Sequence, residues 1–145
     1  MEVEWLILAD SAQVLGNKLY LLGGGWDLLT VNREFPVQQQ MAISASFRVP
    51  WPETNTKHNV QLEIQDDDGH SIARVDGQLE VGRPPGIPVG SEQRSQLALQ
   101  VSLKIEKPGI YPIISRIEGE EKARTFFRVV GGRSLNVPGL SGPAN

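Results

Sequence analysis

Three consecutive aspartates, Asp66, Asp67 and Asp68, lie between two histidines, His58 and His70. Hard cations such as Ca²⁺ take several carboxylate oxygens, and transition metals favour imidazole nitrogens, so the segment has the residue types of a metal site. The glutamate that closes an EF-hand loop is missing, and hairpin turns use Asp and Gly for their backbone freedom. A solvated turn is therefore the favoured interpretation, and we assign neither a metal ligand nor a cofactor.

A glycine triplet, Gly23 to Gly25, precedes Trp26. Glycine-rich loops can present backbone N–H groups to a phosphate. The lysine–hydroxyl pair and the following helix of a P-loop are missing from this segment. Glycine within a strand-like run instead indicates a bulge, a bend or the close approach of a ring. We therefore expect the triplet to seat Trp26 or a neighbouring ring.

Catalysis requires positioned groups with shifted pKa values in a dry pocket. The carboxylates of this chain occur at alternate polar positions or in turns, where charge keeps a sheet face soluble. Examples are Glu63, Glu80, Glu106, Glu118, Glu120 and Glu121. The serines lie in no nucleophile-elbow sequence. We predict a non-enzymatic protein without catalytic residues. The one enzymatic alternative that specific residues support is a metal-dependent hydrolase that uses the aspartate run.

The candidate contact residues are Trp51, Arg83, Ile87 and Trp26, in that order. Trp51 lies between two prolines in a predicted loop, and aromatic side chains are enriched at interfaces. Arg83 and Ile87 belong to a proline-rich segment that is either a rigid crossover or a docking edge. We predict binding to a protein partner, or self-association into a homo-oligomer. The alternative is a small-molecule or carbohydrate-binding module that uses Trp26, Trp51 and the Asp66–Asp68 turn.

The elements that must position these residues read as about eight β-strands. From Leu97 to Ile105 apolar and polar residues alternate strictly, and Met41–Val49 alternates in the same way. Such alternation predicts strands with one buried and one wet face, joined by hairpins. Turns are predicted at Gly16-Asn17, at Asp66–Gly69 and at Gly119, and Gly77 is expected to kink its strand.

This pattern predicts an all-β fold, a single two-layer antiparallel β-sandwich of immunoglobulin-like type, with a jelly roll as the alternative. Tyr111 after Pro108-Gly109 is typical of a tyrosine corner in such sandwiches, although a tyrosine at the edge of the core would look the same. Sheet edges are expected at Val3–Ala9 and Met41–Val49, and edges must be covered, charged or paired. The segment over residues 83–91 is expected to cross between the sheets.

Composition narrows the class of protein. The 145 residues include 14 basic and 17 acidic side chains, for a net charge of −3, and basic runs are lacking, which argues against nucleic acid as a partner. Apolar runs are too short to span a membrane. Cys is absent, which fits a cytoplasmic location. We expect one domain over residues 1–130 and a flexible Gly/Pro-rich tail over 131–145.

Several strings resemble a family of short, functionally uncharacterised bacterial proteins. They are ILADSAQVLGNKLYLLGGGWD (7–27), FRVPW (47–51), GRPPGIP (82–88), PGIY (108–111) and RIEGEEKARTFFRVV (116–130). The resemblance covers residues 2–130. It implies a stand-alone, single-domain bacterial protein and supplies neither an activity nor catalytic residues.

Overall fold

The computed structural model of the chain describes residues 1–132, so the tail predicted over 131–145 lies outside the described residues from position 133 onward. Nine β-strands and one 3₁₀ helix make up the described part. They are β1 (Glu2–Leu15), β2 (Lys18–Gly24), β3 (Leu28–Val31), β4 (Val37–Val49), the 3₁₀ helix Trp51–Glu53, β5 (Lys57–Gln65), β6 (Ser71–Glu80), β7 (Gln93–Ile105), β8 (Gly109–Ile117) and β9 (Glu120–Gly131). Residues 1–132 contain no helix long and apolar enough to cross a membrane.

The strands form two sheets, one of four strands in the order β2-β1-β4-β7 and one of five in the order β3-β9-β8-β5-β6. The predicted all-β, two-sheet architecture is confirmed. Neighbouring strands run antiparallel, except that β3 runs parallel to β9. This exception corrects the prediction of purely antiparallel pairing. The parallel pairing runs from Leu28 opposite Arg128 to Val31 opposite Gly131, and Arg128 N–H donates to Asp27 O at 2.8 Å where it begins.

One apolar core lies between the sheets and takes side chains from both. Phe47 enters it from the four-stranded sheet, and Tyr111 and Phe127 enter it from the five-stranded sheet. Along β7 the predicted inward residues Leu103 and Ile105 are buried, whereas Leu97, Leu99 and Val101 are half-buried. The difference arises because β7 is an edge strand. Its side chains have a neighbouring strand, β4, on one side only.

The prediction of a sheet edge at Met41–Val49 is wrong, because β4 lies between β1 and β7 along its length. The prediction of a sheet edge at Val3–Ala9 agrees in part with the strand pairing. Residues 2–9 of β1 pair with β4, and β2 joins β1 only from Ala9 onward. The outer edges of the two sheets are β2, β7, β3 and β6.

The second face of β4 is also buried, which the alternation did not predict. Ser44 and Ser46 are fully buried, and Ala42 forms a small second core with Ala9 and Ala12. Leu19 and Ala98 pack against this second core. The small side chains on the outer face of β4 therefore allow the β1–β2 hairpin to lie close on the four-stranded sheet.

Two hydrogen bonds fix the far part of this hairpin over β7. Ala12 N–H donates to Gln100 Oε1 at 2.9 Å, and Gln96 Nε2 donates to Asn17 O at 3.2 Å. The hairpin turn itself has positive φ at Gly16 (55°) and Asn17 (61°). That backbone matches the type I′ turn of a two-residue hairpin, so the predicted turn is confirmed.

The other connections divide into hairpins and crossovers. The Asp66–Gly69 turn joins β5 to β6, and Gly119 lies in the turn from β8 to β9, as predicted. The proline-rich segment over 81–92 crosses between the sheets, also as predicted. Pro108-Gly109 lies where the chain passes from β7 to β8 in the other sheet, so this connection is a crossover and not a hairpin. Gly77 pairs with Val60 in an unbroken register, and the irregularity of this pair of strands lies at Ile64/Gln65 instead.

Candidate interaction surfaces

The aspartate turn is organised by its own hydrogen bonds. Asp66 Oδ1 accepts the backbone N–H groups of His70 at 2.8 Å and of Asp68 at 2.9 Å, and these bonds lower the pKa of Asp66. Lys107 Nζ lies 2.9 Å from Asp68 Oδ2 and supplies a cation to the turn. One ligand atom from each of Asp66, Asp68 and His70 falls within 4.8 Å of the others. The hydrogen bonds from the backbone and the ion pair with Lys107 give the carboxylates of Asp66 and Asp68 partners within the protein. We therefore assign no metal site here.

The two histidines lie at opposite ends of the β5–β6 hairpin. His58 is buried near the start of β5, with Nε2 2.8 Å from Glu53 O. His70 is exposed at the turn, with Nδ1 3.4 Å from Asp66 Oδ2. Because the length of β5 separates them, the two imidazoles cannot act on one ligand.

Glu63 is the one buried carboxylate among residues 1–132. The sequence prediction of a wet position is wrong there, because Arg116 lies against Glu63 and donates from Nη1 to Glu63 Oε1 at 2.8 Å. The hydrogen bond from Arg116 lowers the pKa of Glu63. A carboxylate that stays ionised beside a guanidinium is a poor proton donor near neutral pH, so this pair is structural.

The glycine triplet bends the end of β2 and brings Trp26 onto the core. Gly25 N–H donates to Leu8 O at 2.7 Å and is therefore used within the fold. Trp26 packs edge-on against Phe127, with ring centroids 6.0 Å apart, and Phe127 stacks on Tyr111 at 5.2 Å. This arrangement matches the expectation that the glycines seat Trp26.

Trp51 and Arg83, the first two predicted contact residues, meet at one corner of the fold. The Arg83 guanidinium carbon lies 3.9 Å from the centroid of the Trp51 ring. Arg83 also donates from Nε to Thr54 Oγ1 at 2.6 Å and from Nη2 to Trp51 O at 2.8 Å. The pair thus ties the start of the proline-rich crossover to the 3₁₀ helix.

The other two predicted contact residues do not join this corner as a single surface. Ile87 is half-buried within the crossover. Trp26 lies on Phe127, whose register partner Tyr111 is near the start of β8. Trp51 instead adjoins the start of β5, which pairs with the far end of β8. Trp26 and Trp51 therefore lie at opposite ends of the five-stranded sheet.

Among residues 1–132, the largest group of exposed apolar side chains lies on the β1–β2 hairpin, for which the sequence predicted no contact role. Leu15 is 55% exposed, Tyr20 55% and Leu22 72%. The register places Leu15 opposite Lys18, and side chains alternate along β2, so Leu15, Tyr20 and Leu22 share one face of the hairpin. The run Leu19–Leu22 breaks the expected alternation, and this is the sequence signal for an exposed apolar strand.

Ion pairs and hydrogen bonds to Glu4 connect three strands of the four-stranded sheet. Arg94 donates to both Glu4 carboxylate oxygens, at 2.6 and 2.7 Å, and Ser46 Oγ donates to Glu4 Oε1 at 2.7 Å. Arg48 Nη1 lies 3.0 Å from Glu4 Oε2. The hydrogen bonds from Arg94 and Ser46 lower the pKa of Glu4 to about 2. Glu4 therefore links β1, β4 and β7 across the sheet.

Solved structures resemble this chain only weakly. A glycosyl hydrolase family 2 member from Bacteroides cellulosilyticus DSM 14838 is 10% identical, with a TM-score of 0.38, over 63% of this chain and 12% of that protein. A beta-glucosidase from Listeria innocua in complex with isofagomine is 13% identical, with a TM-score of 0.42, over 90% of this chain and 16% of that one. Pseudomonas fluorescens alkylpurine DNA glycosylase AlkC bound to DNA containing an abasic site analog is 12% identical, with a TM-score of 0.35, over 86% and 30%.

This chain thus spans less than a third of the length of each of these proteins, and likenesses this weak carry no argument about its activity. No curated protein matches the sequence. Residues 4–130, which hold nearly all of the described strands, match a family that has been defined by sequence. The chain belongs to DUF6941, a family of unknown function.

Proposed function

We propose that this protein is a non-enzymatic interaction and assembly module that associates with a second copy of itself through β2. The observation that carries the proposal is the exposure of Leu15, Tyr20 and Leu22 on one face of a hairpin at the edge of the four-stranded sheet. Apolar side chains grouped in this way favour association, because burying them removes apolar surface from water.

The backbone of β2 favours a strand as the partner. One side of β2 pairs with β1, and the other side is the edge of the sheet. An edge strand presents N–H and C=O groups that an added strand can satisfy. Common devices that block such pairing are proline and several charges, and β2 has no proline and a single charged residue, Lys18.

A second copy complements this edge in shape. In antiparallel pairing centred on Leu21, Tyr20 faces Leu22 of the other copy, and apolar cross-strand pairs of this kind stabilise sheets. The same register sets Lys18 opposite Gly24, so the two Lys18 side chains lie at opposite ends of the paired strands. The pairing therefore buries Tyr20 and Leu22 of both copies without bringing like charges together.

We further infer that the fold is an immunoglobulin-like sandwich and not a jelly roll. The orders β1-β4-β7 and β9-β8-β5-β6 correspond to strands A-B-E and G-F-C-C′ of that fold. Tyr111 near the start of β8 donates from its hydroxyl to Lys107 O at 2.6 Å, which is the bond expected of a tyrosine corner before strand F. Both observations support this assignment.

The alternative of a ligand-binding module built from Trp26, Trp51 and the Asp66–Asp68 turn has little support. Trp26 and Trp51 lie at opposite ends of the five-stranded sheet, and Trp51 is stacked by Arg83. We therefore do not retain this set of residues as a binding site.

The mass of the 145-residue chain in solution tests the proposal, with light scattering in line with size-exclusion chromatography. We expect the wild-type chain to have twice the 15.9 kDa of one copy. Leu22→Lys should reduce the mass to that of one copy, because it adds a charge next to Tyr20 of the partner. Val89→Lys is the matched control, since Val89 is 87% exposed in the crossover and should leave the mass unchanged.

Trp51→Ala separates this surface from the corner predicted by sequence. It should weaken the corner that Trp51 forms with Arg83 while leaving the mass of the chain unchanged. Dissociation by Trp51→Ala with no effect of Leu22→Lys would move the interface from β2 to that corner and overturn the proposal.

A further inference from the structure

A cleft of about 120 Å³ opens between β6 and β7, the edge strands of the two sheets on the side away from β2. Its floor is formed by core side chains of β4 and β5, among them Phe47, Val60 and Leu62. Leu97 and Leu99 of β7 line one wall, and both are half-buried. The cleft is therefore an apolar recess at this side of the fold, with core side chains as its floor.

Gly77 of β6, in the wall opposite β7, leaves the cleft unfilled because it has no side chain. It lies in β6 directly opposite Val60, so a side chain at this position would point toward the same face as Val60. A Cβ built there meets Val60 Cγ2 at 3.9 Å, which is ordinary contact, and the backbone at Gly77 does not have positive φ. Neither conformation nor crowding requires glycine at this position, and the missing side chain is what keeps the cleft empty.

None of the described residues that line the cleft has a charged side chain. The lining consists of apolar residues, Gly77 and three glutamines, Gln61, Gln78 and Gln96. Gln78 donates to Asn59 Oδ1 at 3.3 Å and Gln61 to Asp76 Oδ1 at 2.8 Å, so these amides are held by the protein at the rim. A charged ligand would find no counter-charge in the lining, whereas a neutral apolar one would lose only water.

We propose that this cleft is a binding site for a small neutral hydrocarbon group, the size of one aromatic ring or a short alkyl chain. An apolar cavity of about 150 Å³ lined by similar side chains binds benzene. The present cleft is slightly smaller and is open on one side, so a single ring enters with one edge toward solvent. This site is separate from the β2 edge, and its test does not depend on the oligomeric state.

Toluene is the probe, added to the full-length chain labelled at methyl groups and followed by NMR. Saturable shifts are expected for methyls of Val75, Leu97 and Leu99. Gly77→Leu should abolish these shifts, because its side chain fills the cleft from the wall. Glu80→Leu is the control: it adds the same side chain to β6 one residue from Leu79, on the face away from the cleft, and should leave binding intact.

Two results would overturn the proposal. One is the absence of saturable shifts at Val75, Leu97 and Leu99 in the wild-type chain, a result that does not depend on whether any variant folds. The other is an unchanged response in folded Gly77→Leu. Shifts confined to Leu15 and Leu22 would count as the first result and would place toluene on the β1–β2 hairpin instead.

Discussion

The guanidinium of Arg83 lies over the ring of Trp51, with 3.9 Å between the guanidinium carbon and the ring centroid. The contact brings together the two residues that the sequence marked first as contact candidates. It also occupies them, because Arg83 donates to Trp51 O and to Thr54 Oγ1 in the same arrangement. This corner therefore stabilises the crossover within the chain, and the exposed apolar face of the protein lies elsewhere, on the β1–β2 hairpin.

Arg83→Ala should lower the free energy of unfolding by about 1–2 kcal/mol, because it removes the stack on Trp51 and two hydrogen bonds. Arg83→Lys should recover little of this loss, since an ammonium lacks the planar fork. Urea unfolding measures both variants, with Arg33→Ala in the β3–β4 connection as the control. Full recovery by lysine would mean that charge alone matters at this position.

Glu4 should give the stability a dependence on acid. Its pKa falls from 4.5 to about 2 in the folded protein through hydrogen bonds from Arg94 and Ser46. Since the unfolded chain then binds the proton more readily, the stability that Glu4 contributes is present above pH 4.5 and is lost as the pH falls toward 2. The difference in unfolding free energy between wild type and Glu4→Gln should be constant near neutral pH and shrink over that window. A difference that persists unchanged at pH 2 would show that Glu4 acts through packing.

Tyr111→Phe should cost about 1–2 kcal/mol of unfolding free energy, because it removes the donor to Lys107 O and leaves that carbonyl without this partner. The ring remains buried on Phe127, so the loss reports the hydroxyl. Tyr20→Phe is the control, since Tyr20 is 55% exposed. Thermal and urea unfolding of the three proteins would settle the comparison, and equal stability would mean that Tyr111 serves only as core filling.

The stability of the protein should depend on Asp66 in the aspartate turn and should not depend on added metal ions. Asp66→Ala should destabilise the protein, because it removes the acceptor of two backbone N–H groups. Asp68→Ala loses an exposed pair with Lys107 and should have little effect. Adding Ca²⁺ or Zn²⁺, or removing metal with EDTA, should leave the melting temperature of the wild type unchanged. A rise in melting temperature with metal that disappears in Asp68→Ala would establish a site at the turn.

Local chemistry made much of the fold predictable from the sequence. Gly16-Asn17 and the Asp66–Gly69 turn have residues that favour tight turns, and both hairpins are present. Tyr111 after Pro108-Gly109 has the pattern of a tyrosine corner, and it is buried and bonded to Lys107. Signals of this kind act over a few residues, which is why a single sequence contains them.

The relations that the sequence did not reveal act over long separations. Burial of Ser44 and Ser46 depends on the outer face of β4 being covered, which alternation cannot express. The pairing of Glu63 with Arg116 and of Trp51 with Arg83 joins residues far apart in the chain. The position of Met41–Val49 in the middle of a sheet likewise depends on strand order. The apolar run Leu19–Leu22 is visible in the sequence, but only its position on an edge strand gives it a role.

Hydrogen–deuterium exchange of the wild-type chain at low and high protein concentration tests association through β2 most directly. The account predicts that amides of residues 18–24 exchange more slowly at high concentration, because a second β2 strand covers their outer edge. Amides of the other edge strands, β3, β6 and β7, should exchange equally at both concentrations. Equal exchange of β2 at both concentrations in a chain that does associate, or new protection at another edge, would contradict the assignment of the interface to β2.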